Sequence, residues 1–354
     1  LDANCFSVVW TGSVVMPRTM DGCIGLSTQD SMRLYVDDKL LIDGWGKDKS
    51  ADQALDFHFE AGRTYKIRIE FVNDRRGARV IFGYSAGREN FPAAVEAARK
   101  ADVAILCMGD NEETSGENFD RTDLNLPGRQ LELVQAVYAT GTPVVLVLQS
   151  GRPVTANWEN DHLPAILEAW FPGEQGGTAI AKTLFGDAAP GGRLPITFPR
   201  SVGQIPCHYS RRPGGGKRYV EMDWLPLYPF GYGLTYTTFA YRDMALSRSV
   251  IDPQDTVTVS VTVTNTGKYT GDAVPQLYVR DMFSSVVKPE RQLAAFRRLT
   301  LAPGESRRVE LTVGPKQLRT LGPDYVWRVE PGKFELQLGD NAENILLRAD
   351  LTVE

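Results

Sequence analysis

The sequence is poor in the residues that bind metals. It has three histidines and four cysteines in 354 residues, and the cysteines form no Cys-x-x-Cys pair. Structural metal sites usually need such pairs or a Cys/His set at short spacing, so we predict neither a metal site nor a cofactor. A bridge between Cys5 and Cys23 stays open without support from the spacing. Cys107 lies in an apolar run and is expected to be a small core residue.

The chain also lacks a basic excess and long apolar runs. Lys and Arg number 39 against 44 Asp and Glu, a formal net charge of −5, so nucleic acid is not an expected partner. No run approaches the roughly 20 apolar residues of a membrane span, and no signal segment opens the chain. The chain starts at Leu1 rather than Met, which indicates that it was processed or cut.

Residues 1–88 have the alternation of an all-β domain. Apolar and polar residues alternate between Gly, Asp and Asn turns, as in a half-solvated sandwich, and residues 37–45 resemble a hairpin around an acidic turn. The predicted strands are 5–12, 32–36, 55–60, 64–71 and 79–84.

Residues 89–241 change to alternating helices and strands. Apolar strands separated by helices indicate a mostly parallel sheet covered on both sides, and we expect strand 103–108 to be buried on both faces. The sheet is small, which suggests that the domain has lost its beginning. The predicted helices are 92–100, 129–139 and 177–185, and the predicted strands are 103–108, 143–148 and 165–170.

Residues 242–354 return to strands at the spacing of a fibronectin type III-like sandwich. Such a module carries no chemistry by itself, and its expected role is packing and stability. The predicted strands are 255–265, 273–279, 292–296, 306–313 and 332–338.

A long polar loop, residues 109–127, follows strand 103–108. Ligands of open α/β sheets bind at the carboxyl ends of strands, and long unstructured loops are often functional. The loop is either a solvated acidic segment or the carrier of a general acid, and spacing alone does not decide. Its carboxylates are Glu112, Glu113, Glu117, Asp120 and Asp123, with Arg121 among them.

Residues 172–177, Pro-Gly-Glu-Gln-Gly-Gly, precede a predicted helix and could cradle a phosphate. They lack the Gly-Lys-Ser/Thr ending of a P-loop and the spacing of a dinucleotide fingerprint. We therefore expect no nucleotide there.

Taken together, several motifs resemble the C-terminal portion of a glycoside hydrolase family 3 enzyme. The most specific is Ser-Gly-Glu-Asn-Phe-Asp-Arg at 115–121. The residues before the α/β block resemble a protective-antigen-type β-sandwich at 6–12, 27–45 and 61–70. The resemblance implies a truncated β-sandwich, a mostly parallel α/β sandwich and a C-terminal fibronectin type III-like domain. The other motifs are 124–134, 169–177, 184–187, 192–199 and 229–236.

The resemblance also implies an activity: a retaining, exo-acting β-glucosidase whose acid/base is Glu117. Glu113 is the alternative, because local gaps could shift the alignment. Phe119 corresponds to an aromatic residue beside the aglycone side of the pocket. Asn118 stands where the family often has Gly, a departure that could alter the turn.

Arg121 is expected to pair with Asp120 and hold the loop. The nucleophile of such enzymes is an Asp in a barrel motif that this sequence lacks. The Asp-Trp pair at 223–224 follows no barrel strand, and we interpret it as unrelated. A barrel on another chain or segment is therefore the expected partner, besides the glycoside, and a homo-oligomer stays open.

Two alternatives remain. One is a sibling specificity such as β-xylosidase. The other is a non-catalytic sugar-binding fragment in which Trp10, Trp45 and Phe119 stack on sugars, although Trp10 and Trp45 are expected in the sandwich core. Polysaccharide breakdown favours an extracytoplasmic location, but the sequence does not decide the compartment.

Overall fold

The computed structural model describes residues 5–28, 30–46, 51–73, 79–85, 91–214 and 218–354, without the side chains of residues 51 and 52. The chain divides into two compact units, Leu1–Ala97 and Ala98–Glu354. Within the described ranges, no helix combines the length and apolarity needed to cross a membrane.

The first unit is a β-sandwich, as the alternation predicted. One sheet has the order β1-β6-β3-β4 and the other has the order β5-β2-β7. Alternate side chains of β2, β3 and β6 are buried, and they form the core with Met16, Ile42 and Phe59. The strands are β1 Phe6–Val15, β2 Met20–Thr28, β3 Ser31–Val36, β4 Lys39–Asp43, β5 Ala51–Phe59, β6 Thr64–Asn73 and β7 Val80–Ser85.

The acidic hairpin is confirmed. Asp37 and Asp38 join β3 to β4 with φ angles of 47° and 64°. Two-residue hairpin turns of type I′ need positive φ at both central residues, and Asp tolerates that region. The predicted acidic turn therefore has a conformational reason.

Trp10 and Trp45 are not core residues, and that prediction was wrong. Their exposures are 43% and 39%. Trp10 lies on β1 and Trp45 follows β4, the two outer strands of their sheet among the described residues. Trp10 contacts Phe71, with ring centroids 6.1 Å apart, and the Arg33 guanidinium lies 4.7 Å from the Trp45 ring. Edge positions leave part of each indole uncovered.

The α/β part has a parallel sheet, as predicted, and the strand order is β10-β9-β8. Leu148 of β9 lies level with Met108 of β8 and Glu168 of β10, so the carboxyl ends of the strands share one edge. The elements are α1 Pro92–Arg99, β8 Ala104–Gly109, α2 Gln130–Tyr138, β9 Val144–Gln149, α3 Asn157–His162, β10 Ala165–Glu168 and α4 Gly176–Leu184. The polar helix α3 was not predicted, because it has no apolar periodicity.

The prediction that strand β8 is buried on both faces was wrong. Ile105 is 44% exposed, Cys107 is exposed, and exposure alternates along the strand. The physical reason is its place at the edge of the described sheet. The central strand β9 is the buried one, with Val144, Leu146, Val147 and Leu148 in the core. Cys5 and Cys23 are free thiols.

The C-terminal part is the predicted fibronectin type III-like sandwich. Its two larger sheets have the orders β11-β13-β18 and β12-β22-β21-β15-β16. Strand β13 buries every second residue against Leu277, Leu336 and Leu351. Strand β11 escaped prediction because a bulge between Arg242 and Ala245 breaks its alternation.

The elements of this part are β11 Phe239–Leu246, β12 Val250–Ile251, β13 Val257–Asn265, β14 Gly271–Ala273, β15 Gln276–Asp281, β16 Gln292–Phe296, β17 Leu299–Leu301, β18 Ser306–Val313, α5 Pro315–Leu318, β19 Thr320–Leu321, β20 Trp327–Arg328, β21 Gly332–Gly339 and β22 Ile345–Val353.

Candidate active site

Gly109 fixes the direction in which the chain leaves β8. Its φ is +140°, and a Cβ atom there would overlap the carbonyl oxygen of Gln149. The Gln130 side chain binds both backbone groups of Gly109: Oε1 accepts from the amide at 2.7 Å, and Nε2 donates to the carbonyl at 2.8 Å. The Asp110 amide donates to Gln149 O at 2.9 Å. The start of the loop is therefore rigidly placed at the carboxyl edge of the sheet.

The next residues form a compact polar turn. Asn111 Oδ1 accepts from the Glu113 amide at 3.0 Å, and the Asn111 carbonyl accepts from the Ser115 amide at 3.0 Å. The Thr114 hydroxyl donates to Asp110 Oδ1 at 3.0 Å. Side-chain bonds of this kind satisfy backbone groups that would otherwise need a helix or a sheet.

Glu117 lies at the following turn, with its side chain exposed. The Phe119 amide donates to Gly116 O at 3.2 Å and closes that turn. Phe119, two residues further along the chain, is 44% exposed. Glu113 is exposed as well, so exposure does not separate the two candidate acids.

Asn118 adopts φ +65°, in the left-handed region that Gly occupies with the least strain. Its departure from the family pattern therefore leaves the turn intact, since Asn tolerates this region better than other non-glycine residues do. We expect Asn118→Gly to change the free energy of unfolding by less than about 0.5 kcal/mol and Asn118→Val to lower it by about 1–2 kcal/mol. Urea unfolding of both variants checks this. Equal stability of the Gly and Val variants would contradict it.

Arg121 does not pair with Asp120, so that prediction was wrong. Arg121 Nη1 lies 3.0 Å from Asp110 Oδ1, and Nη2 donates to Asn125 O at 2.7 Å. Asp120 is exposed, whereas the Asp110 side chain is 1% exposed. A buried carboxylate is the stronger partner because water competes less for it.

Arg152 is a second cation at this point. Its Nε lies 3.7 Å from Asp110 Oδ2, and its guanidinium donates to Phe119 O at 3.3 Å, Thr114 O at 3.4 Å and Ser115 Oγ at 3.4 Å. Sequence reasoning missed both Asp110 and Arg152. The available signal was their position, since each closely follows a strand of the same parallel sheet.

Glu168 closes the third strand of this sheet. Its pKa is raised to about 7, chiefly by burial. A hydrogen bond from the Trp170 amide to Oε1 at 2.9 Å opposes the rise, and the negative charge of Asp110 adds to it. Glu168 Oε2 and Asp110 Oδ2 are buried and have no hydrogen-bond partner among the described residues.

The raised pKa of Glu168 makes stability depend on pH. Between its ordinary value of 4.5 and about 7, the folded state holds a proton that the unfolded chain has lost. The free energy of unfolding therefore falls as pH rises through this window. Between pH 5 and pH 8, we expect the free energy of unfolding to fall by about 2–3 kcal/mol less in Glu168→Gln than in the native protein. Urea unfolding at both pH values checks this, with exposed Glu174→Gln as the control. An unchanged pH dependence in Glu168→Gln would contradict it.

Asp223, the residue of the Asp-Trp pair, lies in a loop, and its Oδ1 accepts from the Leu225 amide at 3.0 Å. In the part of the chain that is described, no group of three or more His, Cys, Asp or Glu residues could hold a metal ion.

Family models match most of the chain. Residues 15–236 match the glycosyl hydrolase family 3 C-terminal domain, and residues 273–342 match a fibronectin type III-like domain. The chain therefore belongs to glycosyl hydrolase family 3.

Similar proteins agree with this assignment. A β-xylosidase of Formosa agariphila is 45% identical over 302 residues, covering 82% of this chain and 42% of that protein. A periplasmic β-glucosidase of Salmonella typhimurium is 42% identical, covering 71% of this chain and 34% of that protein. The structure of a β-glucosidase from Erythrobacter marinus superposes with a TM-score of 0.72 at 41% identity, covering 74% of this chain and 36% of that one.

The chain spans less than half the length of these relatives. A β-glucosidase of Rhizobium radiobacter is 34% identical over all of this chain, yet the match covers 47% of that protein.

Proposed function

We propose that this chain supplies the acid/base of a retaining, exo-acting β-glucosidase that releases terminal non-reducing β-D-glucosyl residues from oligosaccharides or glucosides. The observation that carries the proposal is the exposed carboxylate of Glu117. It lies on a fixed turn at the carboxyl edge of a parallel sheet, within the Ser-Gly-Glu-Asn-Phe-Asp-Arg motif. Ligands of open α/β sheets bind at that edge.

The chemistry assigns Glu117 two roles. As an acid, it donates its proton to the glycosidic oxygen while a nucleophilic carboxylate forms the covalent glycosyl-enzyme. As a base, it then takes a proton from the water that releases the sugar. Retention needs the two carboxyl groups about 5–5.5 Å apart. We infer that the nucleophile is an Asp of a barrel that this sequence does not contain.

Phe119 is proposed to contact the aglycone. Its ring is partly exposed and lies beside Gly116, where an added Cβ would be 3.1 Å from the ring. An aromatic face near the acid offers an apolar platform for a sugar or an aryl group. Phe119 therefore supports binding on the leaving-group side rather than recognition of the glucosyl ring.

A β-xylosidase is the second candidate, because a protein with that name is 45% identical to this chain. The test compares kcat/KM for p-nitrophenyl β-glucoside and p-nitrophenyl β-xyloside with the native protein. The proposal expects the glucoside to be preferred at least about tenfold, a difference of 1.4 kcal/mol in transition-state binding. A preference for the xyloside would contradict the proposed β-glucosidase activity and support the β-xylosidase instead.

The presence of a barrel is tested by measuring the intact mass of the protein that hydrolyses glucosides. Activity accompanied by a barrel-sized segment, joined to this chain or bound to it, supports the proposal. An inert chain that still binds glucosides would identify a non-catalytic carbohydrate-binding module instead.

A further inference from the structure

We propose that Asp110 is the positioning residue of the acid/base turn, residues 116–119, and that it acts through Arg121 and Arg152 to hold the backbone on both sides of Glu117. The inference rests on the proposed role of Glu117. It assigns a role to a buried carboxylate that also accepts a hydrogen bond from the Thr114 hydroxyl, at 3.0 Å, shortly before Glu117.

Asp110 is suited to this role because its own position is fixed. The backbone before it is held by the glycine-specific conformation of Gly109 and by the Gln130 side chain, and its amide is bound to Gln149 on the central strand. Its side chain is 1% exposed. A carboxylate so fully removed from water needs cationic partners, and its charge in return fixes the positions of those partners.

The two guanidinium groups reach different parts of the loop. Arg152 donates to Thr114 O and Ser115 Oγ before Glu117, and to Phe119 O after it. Arg121 binds Asn125 O, where the loop approaches α2. Charge-assisted bonds of this kind are about twice as strong as neutral ones and fix geometry as well as energy.

Close packing adds to these bonds on one side of the turn. A Cβ atom at Gly151 would lie 3.1 Å from Ser115 Oγ and 2.9 Å from the Phe171 ring. The turn therefore lies directly against the segment that carries Arg152. Loss of the Asp110 charge would leave Arg152 without its buried anion while it still binds the turn.

The consequence is catalytic as well as structural. A displacement of about 1 Å in a catalytic group can lower a rate about 100-fold. We therefore expect Asp110→Asn, which keeps the size of the side chain and removes its charge, to lower kcat on p-nitrophenyl β-glucoside by about 30- to 100-fold, with KM changed less than about threefold.

A double-mutant cycle with Glu117→Ala tests this in the native, hydrolytically active protein. If Asp110 acts through Glu117, Asp110→Asn should cost less than about threefold once Glu117 is gone. The control is Asp255→Asn, which removes the charge of an Asp–Arg pair of 2.9 Å in the fibronectin-like part and should change kcat in neither background. Equal losses from Asp110→Asn in both backgrounds, or no loss in the native one, would overturn the inference.

Two further readouts separate the possible failures. If Asp110→Asn does not fold, Arg152→Lys replaces it in the cycle, because it keeps the charge but loses the planar fork that reaches Ser115, Phe119 and Asp110 together. Hydrogen exchange of residues 111–121 should accelerate in either variant, independently of activity. If exchange accelerates but Glu117→Ala keeps its activity, only the proposed function is refuted. If exchange is unchanged, the positioning role of Asp110 is refuted.

Discussion

Glu117→Ala is expected to lower kcat for β-glucoside hydrolysis by about 10²- to 10⁴-fold, the usual contribution of a general acid or base. The loss should be larger for a disaccharide than for p-nitrophenyl β-glucoside, because an activated leaving group needs less protonation. The measurement is steady-state kinetics on both substrates. Stability should change by less than about 0.5 kcal/mol, since the side chain is exposed.

Matched variants in the same loop complete this test. Glu112→Ala removes another exposed carboxylate and should leave kcat within about twofold of the native value. Glu113→Ala distinguishes the alternative acid. A large loss in Glu113→Ala with an active Glu117→Ala would move the acid/base role from Glu117 to Glu113.

Gly109→Ala should be the most destabilising single substitution in the loop. The new Cβ atom would overlap the Gln149 carbonyl, and φ +140° is a conformation that L-residues rarely adopt. Strained backbone and overpacking each cost about 1–3 kcal/mol, so the expected loss in the free energy of unfolding is about 3–5 kcal/mol.

Gly128→Ala is the matched control for that prediction. Gly128 also has positive φ, +59°, but an added Cβ there meets no described heavy atom within 4 Å. Only the backbone cost of about 1–2 kcal/mol is expected. Urea unfolding measures both. Equal losses in the two variants would show that the contact with Gln149 is not what requires glycine at position 109.

The sequence was sufficient for the architecture because periodicity reports local structure. The alternation of β13 and the apolar run of β9 follow directly from which side chains are buried. Periodicity does not report the neighbours of a strand. Strand β8 is a short apolar run like β9, yet it lies at a sheet edge, and Trp10 and Trp45 are partly exposed for a similar reason.

The candidate site shows the same division. The motif at 115–121 predicts Glu117 and Phe119 as site residues, but it does not reveal the partner of Arg121, which depends on burial rather than on adjacency in the chain. Asp110, Arg152 and Glu168 are far apart in sequence and meet because parallel strands end at one edge of a sheet. The strand-end rule could have grouped them, whereas their hydrogen bonds depend on the path of the loop.

Azide rescue of Glu117→Ala tests the central claim most directly. A small anion can take the place of the missing base and attack the glycosyl-enzyme, so azide should raise kcat of the variant and yield β-glucosyl azide with retained configuration. The native protein should show no such increase. A variant whose rate is unaffected by azide, or a product of inverted configuration, would contradict the assignment of Glu117 as the acid/base of a retaining glycosidase.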